Sequence, residues 1–190
     1  MEAQASSEIE NIVTTNDELF KAANGALPDV TPQVKEALRY REALRAGHES
    51  LATRPITTKT AIEVCSHIHA RTAIIRDQPG TYIGNPTTGN RMYTPPEGRD
   101  VILDHLSAWE RFLHSNHGLD PLVVMALSHY QFEAIHPFFD GNGRTGRVLN
   151  LLILIETGLL QLPILYLSGH VMRHKDTYYE RLDAVTREDA

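Results

Sequence analysis

The stretch that decides how this chain is read is His136-Pro137-Phe138-Phe139-Asp140-Gly141-Asn142-Gly143-Arg144-Thr145-Gly146-Arg147, which runs directly into the apolar segment Leu149–Ile155. It is a loop entering a helix, from about Arg144 to Thr157, stopped by Gly158. Backbone N–H groups at such a helix start are not consumed by intrahelical bonds and carry the positive end of the dipole. Gly141 and Gly143 permit positive φ and close approach of a ligand, so the loop is a candidate anion nest. Arg144 and Arg147 stand three apart on one helical face, where cations cost up to about 1 kcal/mol against the dipole. Charge-assisted hydrogen bonds to a polyphosphate return about 1.5–3 kcal/mol each, so an anionic ligand outweighs that cost. Asp140 suits Mg²⁺, which takes one or two carboxylates plus phosphate oxygens and water. His136 is the side chain able to take a proton near neutrality. Each feature alone is more often structural than functional; their conjunction within twelve residues favours function.

Working outward, the chain reads as helices with one break. A first helix is expected over about Ala3–Val13. A second opens on the capping box Thr15/Glu18 and ends near Gly25, and a third starts at Thr31-Pro32. Thr57–Ile75 carries Ile62, Cys65, Ile68 and Ile75 as an inner stripe. Residues 78–98 are crowded with Pro and Gly and hold two short β-prone runs, Thr81–Ile83 and Arg91–Thr94, read as a hairpin lying over something else. Helices are expected again over Asp100–His114, from Asp120-Pro121 to about Ala134, and from Ser168 through Val185. The fold class is all-α, a compact helical domain with a small β-hairpin.

Composition bounds the function. The chain has 190 residues, 42% hydrophobic and 22% charged, with a formal charge of −6. That is the profile of one globular domain, not of a disordered, collagen-like or low-complexity chain. Net acidity argues against a general nucleic-acid binder. The single cysteine, Cys65, excludes an internal disulfide, fits a reducing compartment and is read as core. Met1–Asn11 is polar and acidic, unlike a secretory leader, and Leu149–Ile155 is too short to span a bilayer. A soluble cytoplasmic protein with no membrane contact is expected. The pairs His67/His69, His114/His117 and His170/His174 offer no third metal ligand and are read as surface histidines.

Position for position, His136–Arg147 resembles the His-x-Phe-x-(Asp/Glu)-Gly-Asn-Gly-Arg-x-x-Arg signature of Fic-domain adenylyltransferases. The resemblance implies the Fic fold over residues 1–190, with a catalytic core at 121–185 and a target-docking flap at 78–98 covering the active site. It also implies protein adenylylation: His136 as base for a Tyr, Thr or Ser hydroxyl of a target protein, which attacks the α-phosphate of ATP. Phe138 would hold the loop and Asp140 the Mg²⁺. Asn142 with the Gly141 and Gly143 backbone would form the anion hole. Arg144 would meet the β-phosphate and Arg147 the γ-phosphate, with Thr145 and Gly146 inside the same nucleotide-binding stretch. Tyr82, Ile83 and Gly84 resemble the flap strand that aligns a target by main-chain pairing, or are simply hydrophobic hairpin residues. Tyr178 and Tyr179 resemble the aromatic pair beside the adenine pocket, with core packing an equal reading. Asn150 either faces the nucleotide or satisfies a backbone group.

Near the start, Ser6-Ser7-Glu8-Ile9-Glu10-Asn11 is similar to the (Ser/Thr)-x-x-x-Glu-(Gly/Asn) inhibitory helix of the same family, placed here within residues 1–25. Ser6, Glu10 and Asn11 would then form an internal inhibitor, Glu10 pairing with Arg147 in place of the γ-phosphate. Alternatives in view are AMP removal or transfer of another phosphate-containing group on the same scaffold, and a nucleotide-sensing module without transfer. Self-modification is expected, and a homo-oligomer is left open. The chain reads as either a compact member or a piece of a longer protein.

Overall fold

A computed structural model describes residues 1–84 and 91–188. Its elements in chain order are α1 (Glu2–Ile9), α2 (Asn16–Ala23), α3 (Pro32–Ser50), α4 (Thr58–His69), β1 (Ile83–Gly84), β2 (Arg91–Tyr93), α5 (Arg99–His114), α6 (Pro121–Ile135), α7 (Asn142–Glu156), α8 (Leu167–Arg173) and α9 (Lys175–Glu188). The helical body with one antiparallel hairpin agrees with the all-α expectation. No helix among the described residues is long and apolar enough to cross a membrane.

The middle of the molecule is α7. Its residues Arg144–Leu154 are all buried, including Leu151 and Leu152 at 0% exposure. A helix apolar on nearly every side must be surrounded, and α1, α3, α4 and α6 pack around it. Full burial of each leucine or isoleucine is worth about 1.5–3 kcal/mol, so α7 contributes substantially to core stability. Close approach of α3 depends on Gly47, where a Cβ would stand 2.7 Å from Leu152 Cδ1. Helix starts follow their capping residues: Thr15 Oγ1 accepts from Glu18 N, Thr31 Oγ1 from Val34 N, and Asp120 Oδ1 from Leu122 N. Trp109 of α5 is fully buried, and its indole N–H donates to Ser128 Oγ at 2.7 Å, joining α5 to α6.

Several boundaries differ from the sequence expectation. Helix α4 stops at His69, not Ile75, because Ala70 turns left-handed (φ 52°) and Ser66 Oγ takes the Ala73 N–H. The chain continues irregularly through Ile75, still buried, to a fully buried Arg76 whose donors are wanted elsewhere. Helix α1 ends at Ile9, because Asn11 adopts φ 62°. The expected last helix is two, broken at His174 (φ −125°, ψ 38°). Helix α7 begins at Asn142, two residues early, on Gly141 at φ 83°. In the hairpin Ile83 pairs with Tyr93 and Gly84 with Arg91 across an irregularity, so the first strand lies later than Thr81–Ile83. Residues 85–90 of the expected flap lie outside the described residues.

Candidate active site

His136 ends α6 in the left-handed conformation (φ 49°, ψ 59°), which turns the chain into the Pro137–Gly141 loop. That costly backbone state is held by Arg76. Its Nε donates to His136 O at 2.6 Å, its Nη2 to Pro96 O at 2.6 Å and Ile135 O at 3.2 Å, and its own N–H to Pro137 O at 3.0 Å. Phe138, 2% exposed, anchors the loop in the core. Asn142 closes it: Oδ1 accepts from Phe138 N at 2.9 Å and Nδ2 donates to Phe138 O at 2.8 Å. The Asn142 side chain thus closes the loop with one of its two amide N–H donors, and the other donor and the backbone N–H remain for a ligand.

Two hollows meet at His136. The larger, about 620 Å³, is bordered by His136, Gly143 and Arg147, by Ile83 and Gly84 of the hairpin, and by Tyr178 and Tyr179 of α9. The smaller, about 170 Å³, is bordered by Asp140, Gly141, Asn142, Gly143 and Arg144. His136 and Glu10 border both. Burial, reinforced by the positive charge of Arg76, pushes the His136 imidazole down to about 4, so it is neutral at pH 7. Asp140 is 67% exposed at the mouth of the smaller hollow, with Oδ1 accepting from Gly141 N at 2.6 Å. Arg144 Nη2 lies 3.8 Å from the same oxygen, and an accessible carboxylate in this place, beside a helix N-terminus, fits a Mg²⁺ that brings phosphate and water oxygens with it.

Both arginines are buried and already paired. Arg147 Nη2 donates to Glu10 Oε1 at 2.7 Å and to Ser6 O at 3.0 Å, and its Nε donates to Ser6 Oγ at 2.8 Å. Arg144, 3% exposed, donates from Nη1 to Glu36 Oε1 at 3.0 Å. Gly143 explains itself here: a Cβ would lie 2.6 Å from Glu10 Oε1 and 3.0 Å from Arg147 Nη1. It is glycine for space and not for positive φ, contrary to the sequence reading. Asn11 touches neither arginine; its left-handed φ ends α1 just after Glu10, which is why that position favours Asn or Gly.

The structure does not bring every expected residue to the hollows. Thr145 is fully buried beside Cys65, and Gly146 faces α6, where a Cβ would strike Glu133 Oε1. Asn150 is 5% exposed, borders neither hollow, and leaves Oδ1 without a partner among the described residues. These three positions lie on the inward faces of α7, which the sequence could not orient. Tyr82 is half exposed under the Arg91 guanidinium and outside the hollow. Tyr178 and Tyr179 meet edge to face at 5.2 Å, and the Tyr178 hydroxyl pairs with His129 Nε2 at 2.7 Å. Cys65 is core, its thiol pushed up by burial to about 11. His69 departs from the surface reading, its side chain only 12% exposed next to Asp140.

Arg76, Glu36 and Glu133 carry no motif in the sequence, and His69 reads there only as half of a surface histidine pair. A buried charge within the apolar context of Ile74-Ile75 was the one signal available, and it pointed to Arg76.

A family model for the Fic/DOC family matches residues 55–154, and one for the Fic/DOC family N-terminal region matches residues 1–49. The chain is 43% identical over 68 residues to the protein adenylyltransferase Fic of Drosophila yakuba, covering 35% of this chain and 14% of that protein. It is 34% identical over 103 residues to that of Aedes aegypti, covering 53% and 19%. The chain thus spans less than a fifth of these relatives' length. Its fold is similar to a Fic family protein from Desulfovibrio desulfuricans, with TM-score 0.75 and 24% identity over 98% of this chain and 56% of that one. Fic-1 from C. elegans is similar in fold, with TM-score 0.66 and 17% identity over 100% and 63%. By both matched segments, and by the loop, helix and hairpin they enclose, the chain belongs to the Fic/DOC family.

Proposed function

We propose that this chain is a protein adenylyltransferase, moving AMP from ATP to a Tyr, Thr or Ser hydroxyl of a target protein and of itself, and that Glu10 restrains it. The observation that carries the reading is a neutral His136 at the junction of two hollows, one walled by tyrosines and one by a helix N-terminus with a buried arginine. The larger hollow has room for a nucleoside, and the smaller for phosphate groups. His136 takes the proton of the incoming hydroxyl as its oxygen bonds to the α-phosphorus and the bond to the bridging oxygen of pyrophosphate breaks. Charge on the bound nucleotide raises the imidazole back toward neutrality, which favours that proton transfer. The N–H groups of the Gly141–Gly143 segment and Arg144 face the phosphates. Asp140 would hold Mg²⁺, which supplies charge neutralisation at the phosphates when bound. Ile83 and Gly84 offer the edge on which a target segment pairs.

Restraint follows from competition. The Arg147 guanidinium is committed to Ser6 and Glu10, so a γ-phosphate can claim it only by displacing Glu10. Labelled ATP with Mg²⁺ and the intact chain tests both statements. Glu10→Gly should raise AMP incorporation by about tenfold or more, the worth of one charge-assisted bond. His136→Ala in that background should abolish it. Equal, low incorporation by parent and Glu10→Gly would remove the restraint, and His136-independent transfer would remove the catalytic assignment.

A second reading rests on Glu10 bordering both hollows with His136. A carboxylate in that place can activate water against a bound AMP ester, which makes AMP removal the alternative activity. Release of AMP from a modified substrate by the parent, lost in Glu10→Gly, would favour it.

A further inference from the structure

We propose that His69, on the last turn of α4, is a positioning residue for the Asp140 carboxylate, holding it toward the divalent cation that accompanies the nucleotide. The inference rests on the reading of Asp140 as the carboxylate for that cation. Its first support is an unpaired group: His69 Nε2 is sealed from solvent and has no hydrogen-bond partner among the described residues. A buried polar atom left without a partner is costly, so one retained beside a reaction centre points to a partner that closes onto it when the ligand binds. The second support is distance. Nε2 lies 3.9 Å from Asp140 Oδ2, about 1 Å beyond a hydrogen bond. Asp140 Oδ1 is tethered to Gly141 N at 2.6 Å, so rotation of the exposed carboxylate about that tether moves Oδ2.

The third support is the space made for the imidazole. A Cβ on Gly141 would stand 2.5 Å from His69 Nε2 and 3.5 Å from Cys65 Sγ. The glycine admits the ring against the loop backbone as well as supplying φ 83°. Nε2 is too enclosed to ligate an exchangeable ion itself, and Mg²⁺ prefers oxygen. The ring therefore acts through the carboxylate. Each carboxylate oxygen has two lone pairs, so Oδ2 can accept the His69 N–H and still face a cation. Partners of this kind fix ligand orientation, and losing one weakens metal binding by about 10–100-fold.

Mn²⁺, titrated into the intact chain in the presence of saturating ADP and followed by electron paramagnetic resonance, tests this. Against the parent, His69→Leu should bind Mn²⁺ about tenfold more weakly, while His69→Gln, which restores an N–H donor, should return to within about threefold. Affinity for ADP in EDTA should be unchanged in both. Parental Mn²⁺ affinity in His69→Leu overturns the proposal, as does a parallel loss of metal-free ADP binding, which would mark a packing role. Should His69→Leu not fold, His69→Asn, too short to span the gap, carries the same expectation. Asp140→Ala separates the two readings: unchanged Mn²⁺ binding there removes Asp140 as the cation's carboxylate, whatever His69 does.

Discussion

At the scale of single residues, Arg76 decides more about the site than any member of the loop motif except His136. It donates to three carbonyls from two segments of chain, and its charge adds to burial in holding the imidazole down. Arg76→Met leaves those carbonyls buried and unpaired, and a loss of about 3 kcal/mol in unfolding free energy is expected from denaturant titration. The same substitution removes the charge that, after burial, holds His136 down. The acid limb of adenylylation in the Glu10→Gly background should therefore move upward from about pH 4, the pKa of the free-enzyme imidazole. An unmoved limb would show burial alone to be responsible. Arg76 lies 60 residues from His136, and a lone arginine after two isoleucines has no local pattern to reveal its partners. His136 was legible because its neighbours in sequence are also its neighbours in chemistry.

At the scale of elements, α1 is the helix that brings Ser6 and Glu10 to Arg147. Eight residues cannot sustain a helix in water, so α1 exists through what holds it. Three latches do so: Ser6 and Glu10 on Arg147, the Glu2 carboxylate on Tyr40 and on both N–H and hydroxyl of Ser168, and the Lys175 ammonium on Ile9 O at 2.6 Å. The first lies in the recognisable motif; the other two join positions 166 residues apart and were invisible in sequence. Ser168→Ala should loosen α1 from its N-terminal end and raise basal AMP transfer by about tenfold, without touching Arg147 or the hollows. The Glu2→Gln, Ser168→Ala double variant should add little to either single, since both cut one contact. Full additivity in a transfer assay would refute the latch.

At the scale of the whole molecule, the core around α7 buries titratable groups whose protonation is coupled to folding. His129 and His136 are pushed down to about 4 by burial, so in both cases the unfolded chain takes up protons between about pH 6.5 and 4 that the native state does not. Acidification through that window destabilises the fold. Glu133 is pushed up to about 7 by burial, so its native state keeps a proton that the unfolded chain has lost above about 4.5. Its contribution is present at low pH and disappears as pH rises through 7. Glu133→Gln should therefore gain on the parent progressively from pH 4.5 to 7.5 in thermal melts. A constant offset across that range would show Glu133 to be ionised in the folded protein.

What the sequence by itself determined is whatever depends on neighbours within a turn or two. Those features are the helical periodicities, the caps at Thr15, Thr31 and Asp120, the hairpin, and the loop whose glycines, carboxylate, imidazole and arginines share one short stretch. What only the tertiary structure decided is which faces of α7 look inward, removing Thr145, Gly146 and Asn150 from the hollows. It also decided which distant groups complete the site, namely Arg76, Glu36, His69 and Glu133. Periodicity is a local property of the chain. The pairing of a buried charge depends on which remote element the packing brings within about 3 Å.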